Sequence, residues 1–129
     1  MKISFIGGGV MATSLIDGIL RARLYTANQI RVGEPLKSRR TYLENKYAVG
    51  VYKSNLSAID DADIVVLSIK PQNLHEILAE LKDRLTSGKT IISIIPGVTH
   101  LFEASITSTS DLDINCPISL IFPSTIKRS

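Results

Sequence analysis

The sequence predicts an α/β protein built on a doubly wound, mostly parallel sheet, and three observations predict it. An apolar, β-like run over residues 3–6 passes through Gly7-Gly8-Gly9 into a segment where Leu15, Ile16, Ile19 and Leu20 recur at helical spacing. Two nearly unbroken apolar runs, 63–69 and 90–95, are rich in β-branched residues and read as strands covered on both faces, as in a parallel sheet. Between them Leu74, Ile77, Leu78, Leu81 and Leu85 repeat with a helical period, with Glu76, Glu80, Lys82 and Asp83 interspersed. The middle of the chain is therefore β-α-β with short connections.

Taken in order, the first strand is followed by a glycine turn in which Gly7, Gly9 and Ala12 fit G-x-G-x-x-G/A, the pattern that receives the pyrophosphate of a dinucleotide. Gly7 permits a tight turn, Gly9 lets backbone approach phosphate without a Cβ, and Ala12 lets the helix pack close to the strand. The helix that follows should end near residues 21–24. Residues 28–32 read as a second strand, closed by the turn residues Gly33-Glu34-Pro35. Ser38 is a candidate N-cap for a helix over 39–46, and 49–52 is a brief third strand. Residues 55–62 form a short helix or turn. Lys70-Pro71-Gln72 stops the fourth strand, because proline cannot donate to a ladder. Ser87-Gly88 breaks the next helix ahead of a fifth strand. Beyond Pro96-Gly97, Leu101, Phe102 and Ile106 suggest one or two helical turns, 107–113 reads as loop, and 118–122 as a sixth strand ended by Pro123. The expected strand order is 3-2-1-4-5-6, a Rossmann-type arrangement. Ligands of such sheets lie beyond the carboxyl ends of the strands. That places Gly7 to Ala12, Gly33 to Pro35, Lys70 to Gln72, Pro96-Gly97 and Pro123 to Thr125 along one rim.

Composition narrows the function classes. At 129 residues, 44% hydrophobic and 21% charged, the chain is expected to be a single soluble domain over 1–129. Its net charge is +3, but the basic residues are dispersed except around Lys37, Arg39 and Arg40. There is no Trp and only 5% aromatic residues, so stacking platforms for nucleic acid are scarce and nucleic acid is not an expected partner. The single cysteine, Cys116, can form no internal disulfide and offers no metal-ligand cluster, so no metal is expected. No apolar run is long enough to span a bilayer, and three glycines with Asp17 argue against a signal peptide. A cytoplasmic protein without a membrane partner is the expectation.

The residues themselves leave the cofactor's identity open. Gly7, Gly8, Gly9, Val10, Met11 and Ala12 would surround a pyrophosphate. Glu34 lies 22 residues beyond Ala12, where an acid bonds the ribose 2′-OH of NAD. Lys37, Arg39 and Arg40 would instead suit the 2′-phosphate of NADP, or simply form a solvated helix start. His75 and His100 read as surface histidines, and no catalytic residue is assigned.

With these segments in place, the chain resembles the pyrroline-5-carboxylate reductase family, which reduces a cyclic imine to proline with NAD(P)H. The resemblance rests on Phe5-Ile6-Gly7-Gly8-Gly9-x-Met11-Ala12, on the run from Asp63 through Lys70-Pro71-Gln72, and on Ile91-Ile92-Ser93 with Gly97-Val98. It covers residues 1 to about 98, with Phe122-Pro123-Ser124-Thr125 a degraded form of the family's Met-Pro-Asn-Thr segment. The resemblance implies that Asn55 contacts the adenosine end of the cofactor. It also implies that Ile69, Lys70 and Pro71 line the nicotinamide pocket, with Pro96 and Gly97 on the same rim. It favours NADP weakly.

Val10 departs from the polar residue usual in the family, and Ile95-Pro96 from its small alanines. The family also has a helical second domain that forms the dimer and holds the substrate carboxylate, and the chain stops at Ser129, before that domain would begin. The expectation is a cofactor domain that binds NAD or NADP without turning over alone, with pyrroline-5-carboxylate as the family's substrate. Self-association through an apolar rim left exposed is a further expectation. A dinucleotide module without chemistry and another NADP-linked reductase, of the β-hydroxyacid or coenzyme F420 type, remain the alternatives.

Overall fold

The structure, a computed structural model, describes residues 1–85 and 89–94. The predictions over 86–88 and 95–129, among them Ser87-Gly88, Pro96, Gly97, His100, Cys116, the sixth strand and Pro123 to Thr125, lie outside the described residues.

Five parallel strands, β1 (Ile3–Ile6), β2 (Ile30–Gly33), β3 (Gly50–Tyr52), β4 (Ile64–Leu67) and β5 (Thr90–Ser93), line up in the order β3-β2-β1-β4-β5. This is the expected order for the five strands described. The registers place Ile6 opposite both Gly33 and Leu67, Gly33 opposite Tyr52, and Leu67 opposite Ser93, so the carboxyl ends are level. Helices α1 (Val10–Arg21) and α2 (Lys37–Tyr47) pack with one face, α3 (Asn55–Ile59) and α4 (Leu74–Leu81) with the other.

The two-residue period of the strands divides the core between these faces. Ile3 and Phe5 of β1 and Val66 of β4 join Ala12, Ile16, Leu43 and Val49 under α1 and α2. Ile6, Val65, Leu67 and Ile91 join Ala58, Ile59, Leu74 and Leu81 under α3 and α4. Burial on both sides is why β1 and β4 carry no alternating polar residues apart from Ser4.

Three boundaries and one burial pattern differ from the sequence expectation. Strand β2 starts at Ile30, because Thr26 and Gln29 cap each other around a 3₁₀ turn over Ala27–Gln29. Helix α2 starts at Lys37 with Leu36 as its N-cap, and Ser38 lies inside it. The cause is Glu34, whose Oε2 accepts the Leu36 N–H at 2.9 Å and sets the entry two residues earlier. Strand β4 stops at Leu67, where its neighbour β1 has turned away after Ile6. Strand β5 is buried at Ile91 and Ser93 but only half-buried at Thr90 and Ile92, because it is the edge of the described sheet.

Candidate functional site

The turn that leaves β1 is pinned from both neighbouring strands. Gly7 N–H donates to Gly33 O at 2.8 Å, and Ser68 N–H donates to Ile6 O at 2.9 Å. The Ser68 hydroxyl lies 2.9 Å from both the Ile6 and Gly7 carbonyl oxygens and donates between them. Gly7 has φ of 101°, in the region that favours glycine, and a Cβ there would stand 2.5 Å from Ser68 O. Only glycine fits that position.

Gly8 is buried, and its main chain is gripped on both sides. Its N–H donates to Glu34 Oε1 at 3.0 Å, and its carbonyl accepts from Arg39 Nε and Nη2 at 3.0 and 2.8 Å. Arg39 Nη2 also donates to Thr13 Oγ1 at 3.0 Å, and the guanidinium lies 4.9 Å from the centre of the Tyr42 ring. Gly9 is the opposite of Gly7: among the described residues a Cβ built on it meets nothing within 4 Å. Beyond it Val10 and Met11 are exposed, at 78% and 58%, while Ala12 is fully buried where α1 passes over the sheet.

The first turn of α1 follows from this geometry. Its first hydrogen bond runs from Thr13 N–H to Gly9 O, so the N–H groups of Val10, Met11 and Ala12 precede the intrahelical ladder. Among the described residues no side chain caps the helix, and no acidic residue lies in its first turn. Unpaired donors, the positive end of a 12-residue helix dipole and open space in front of Gly9 together make a seat for an anion. A dinucleotide's pyrophosphate fits these residues.

The flanking segments complete one rim. Glu34 follows β2 with 7% exposure, both carboxylate oxygens accepting backbone N–H groups, from Gly8 and Leu36. Arg40 Nη1 donates to the carbonyls of Glu34 and Pro35, both at 2.8 Å. Lys37 is exposed at the start of α2. Asn55 opens α3 and lies over the end of β2, its Oδ1 2.6 Å from where a Cβ on Gly33 would stand. Ile69 is half-buried, with its Cγ2 3.2 Å from the Cβ position of Gly7, whereas Lys70 and Pro71 are exposed at the head of a 3₁₀ turn, Pro71–Asn73. His75 is exposed on α4.

The structure thus brings Gly7 to Ala12, Glu34, Arg39, Asn55 and Ile69 to Pro71 to the carboxyl edge of the sheet. Pro96 and Gly97 fall outside the described residues. Sequence reasoning missed Ser68 and Thr13. The signal for Ser68 was its position, a hydroxyl closing the buried run of β4 next to the expected β1 turn.

Fold and site define a dinucleotide-binding domain of the doubly wound, Rossmann type. The family described as NADP oxidoreductase, coenzyme F420-dependent, matches residues 2–97, and the chain belongs to it. The pyrroline-5-carboxylate reductase of Pseudomonas aeruginosa is 42% identical over 97 residues, 75% of this chain and 35% of that protein. A solved pyrroline-5-carboxylate reductase from Coxiella burnetii superposes with a TM-score of 0.72 at 34% identity, covering 78% of this chain and 37% of the other. The Plasmodium falciparum pyrroline carboxylate reductase, solved with NADP bound, gives a TM-score of 0.70 at 26% identity, over 82% and 38% of the two chains. The resemblance read from the motifs is borne out. The chain spans about 35% of the length of the curated relatives it matches, the stretch that carries their dinucleotide-binding domain. No described helix is long and apolar enough to cross a membrane.

Proposed function

We propose that this chain is the NAD(P)H-binding part of a pyrroline-5-carboxylate reductase-like oxidoreductase. The observation that carries the reading is the uncapped first turn of α1 behind an open Gly9, on the rim where the carboxyl ends of β1, β2 and β4 meet. The amides of Val10, Met11 and Ala12 hold the pyrophosphate, Gly9 gives it room, and Ala12 keeps α1 close to the sheet. Asn55 and the β2–α2 segment take the adenosine end. Ile69, Lys70 and Pro71 shape the nicotinamide side, the lysine through its backbone and stem rather than as a proton donor.

The dihydronicotinamide, when bound, supplies a hydride to the carbon of the substrate's C=N bond. Nitrogen carries a proton already present on the iminium or taken from water, and the products are the cyclic amine and the oxidised nucleotide. The described rim is one wall. The wall that grips the substrate carboxylate and excludes water lies outside the described residues or on another chain. Val10 and Met11, apolar and exposed on the rim, are the contacts through which copies would associate. A cytoplasmic setting goes with this reading, since the single Cys116 has no partner for an internal disulfide.

Calorimetric titration with NADPH and, separately, NADH tests it. Saturable binding of either is the expected result and also ranks the two nucleotides. Heat of dilution alone for both would remove the cofactor reading and with it the reductase assignment.

A further inference from the structure

The acid after β2 holds the glycine turn. Glu34 is 93% buried by its 7% exposure, and both carboxylate oxygens are committed to main-chain donors, Oε1 to Gly8 N–H at 3.0 Å and Oε2 to Leu36 N–H at 2.9 Å. From the other side Arg39 forks onto the Gly8 carbonyl through Nε and Nη2. The two peptide units that flank Gly8 are thus clamped, the first by an anion at its N–H and the second by a cation at its C=O, each bond charge-assisted and stronger than a neutral one. Arg39 is steadied in turn by Thr13 Oγ1 and by the Tyr42 ring, which ties the clamp to α1 and α2 together. The residue after Gly8 is Gly9, where a Cβ would meet no described atom within 4 Å.

We propose that Glu34 and Arg39 are positioning residues that act through the two peptides flanking Gly8 to aim the Gly9–Ala12 amides at a pyrophosphate. Glu34 does not read the ribose 2′-OH. Neither residue discriminates NADH from NADPH, because the pyrophosphate is common to both. The inference rests on the proposed dinucleotide site and deepens it.

The test uses the 129-residue chain, its Glu34→Gln and Arg39→Ala variants, calorimetry with NADH and NADPH, and amide hydrogen exchange of Gly8 by NMR. Gln keeps one acceptor and sets an N–H₂ donor against a backbone N–H. Arg39→Ala opens the clamp at its opposite, half-exposed end and so remains available if the buried substitution impairs folding. The expected result is faster exchange at Gly8 in both variants, with NADH and NADPH weakened by the same factor, about tenfold, so that their ratio is unchanged. Loss of NADH affinity alone in Glu34→Gln would return the acid to the ribose. Loss of NADPH affinity alone in Arg39→Ala would make the arginine a phosphate ligand. Unchanged Gly8 exchange would dismiss the clamp. If the wild-type chain binds neither nucleotide, the cofactor reading fails by itself, and the exchange rates then decide the clamp alone.

Discussion

The two ends of the sheet handle their polar groups in opposite ways. At the amino end the charges complete the scaffold. Lys2 N–H donates to Asp63 Oδ2 at 2.8 Å, Asp61 lies within 3.1 Å of Lys2 Nζ and 3.6 Å of Arg31, and Lys89 Nζ donates to the carbonyls of Ile59 and Ala62 where α3 ends. At the carboxyl end the side chains of Glu34, Arg39, Arg40 and Ser68 bond the main chain around the glycine turn, and the amides at the start of α1 are left over. The amino end satisfies donors to stabilise the fold. The carboxyl end fixes a loop so that its remaining donors face outward, and this asymmetry separates stability from binding along one sheet.

Substitutions at Gly7 and Gly9 break the comparison most sharply. Gly7→Ala must accept a positive φ and a clash with Ser68 O, and should cost about 3 kcal/mol or more in urea denaturation. Gly9→Val, two residues on, enters open space with φ of −79°, so stability should change by no more than about 1 kcal/mol. Its dinucleotide affinity should fall about a hundredfold or more, measured by titration with NADPH and NADH. Equal destabilisation by both variants would erase the distinction between a folding glycine and a binding glycine.

At the other end, Lys89→Met removes the ammonium that satisfies two carbonyls and should cost about 1–2 kcal/mol with nucleotide affinity unchanged. The smallest effect is at Asp61. A hydrogen bond from Lys2 first, and then the charges of Lys2 and Arg31, hold its carboxyl below the ordinary carboxylate value. A depressed folded-state value contributes stability above the unfolded value, lost as pH falls through the folded one. Asp61→Asn should therefore lower the thermal midpoint slightly at neutral pH, and the gap to the wild type should close on acidification below about pH 4. A gap that widened in acid would reverse the sign.

Local patterns carried the fold. The β-branched runs, the glycine turn and the leucine spacing of 74–81 each encode an element within a few residues, and the observed five-strand order follows from parallel crossovers. The described part of the rim was equally readable, because the level carboxyl ends are a property of that topology. The partners within the rim were not readable. Gly8 and Glu34 are 26 residues apart, and Ser68 and Ile6 are 62 apart. Such contacts depend on strand register and on the rotamer of each side chain, which a one-dimensional pattern does not contain. The misplaced N-cap has a different origin: Ser38 had the right chemistry, but the local bond from Leu36 N–H to the Glu34 carboxylate, two residues back, fixed the entry at Leu36.

The position of β1 at the centre of the sheet also governs the order of assembly. Its first neighbour, β2, ends at Gly33, but its second, β4, begins at Ile64. During synthesis the strand made first waits through about 60 residues, several seconds of translation, with one edge unpaired. Loop closure over that distance must precede its reward, so folding should be slow for so small a sheet. A nascent or truncated chain ending before residue 64 leaves β1 without its β4 partner and Ile6 without the cover of that neighbour, and such fragments are expected to aggregate.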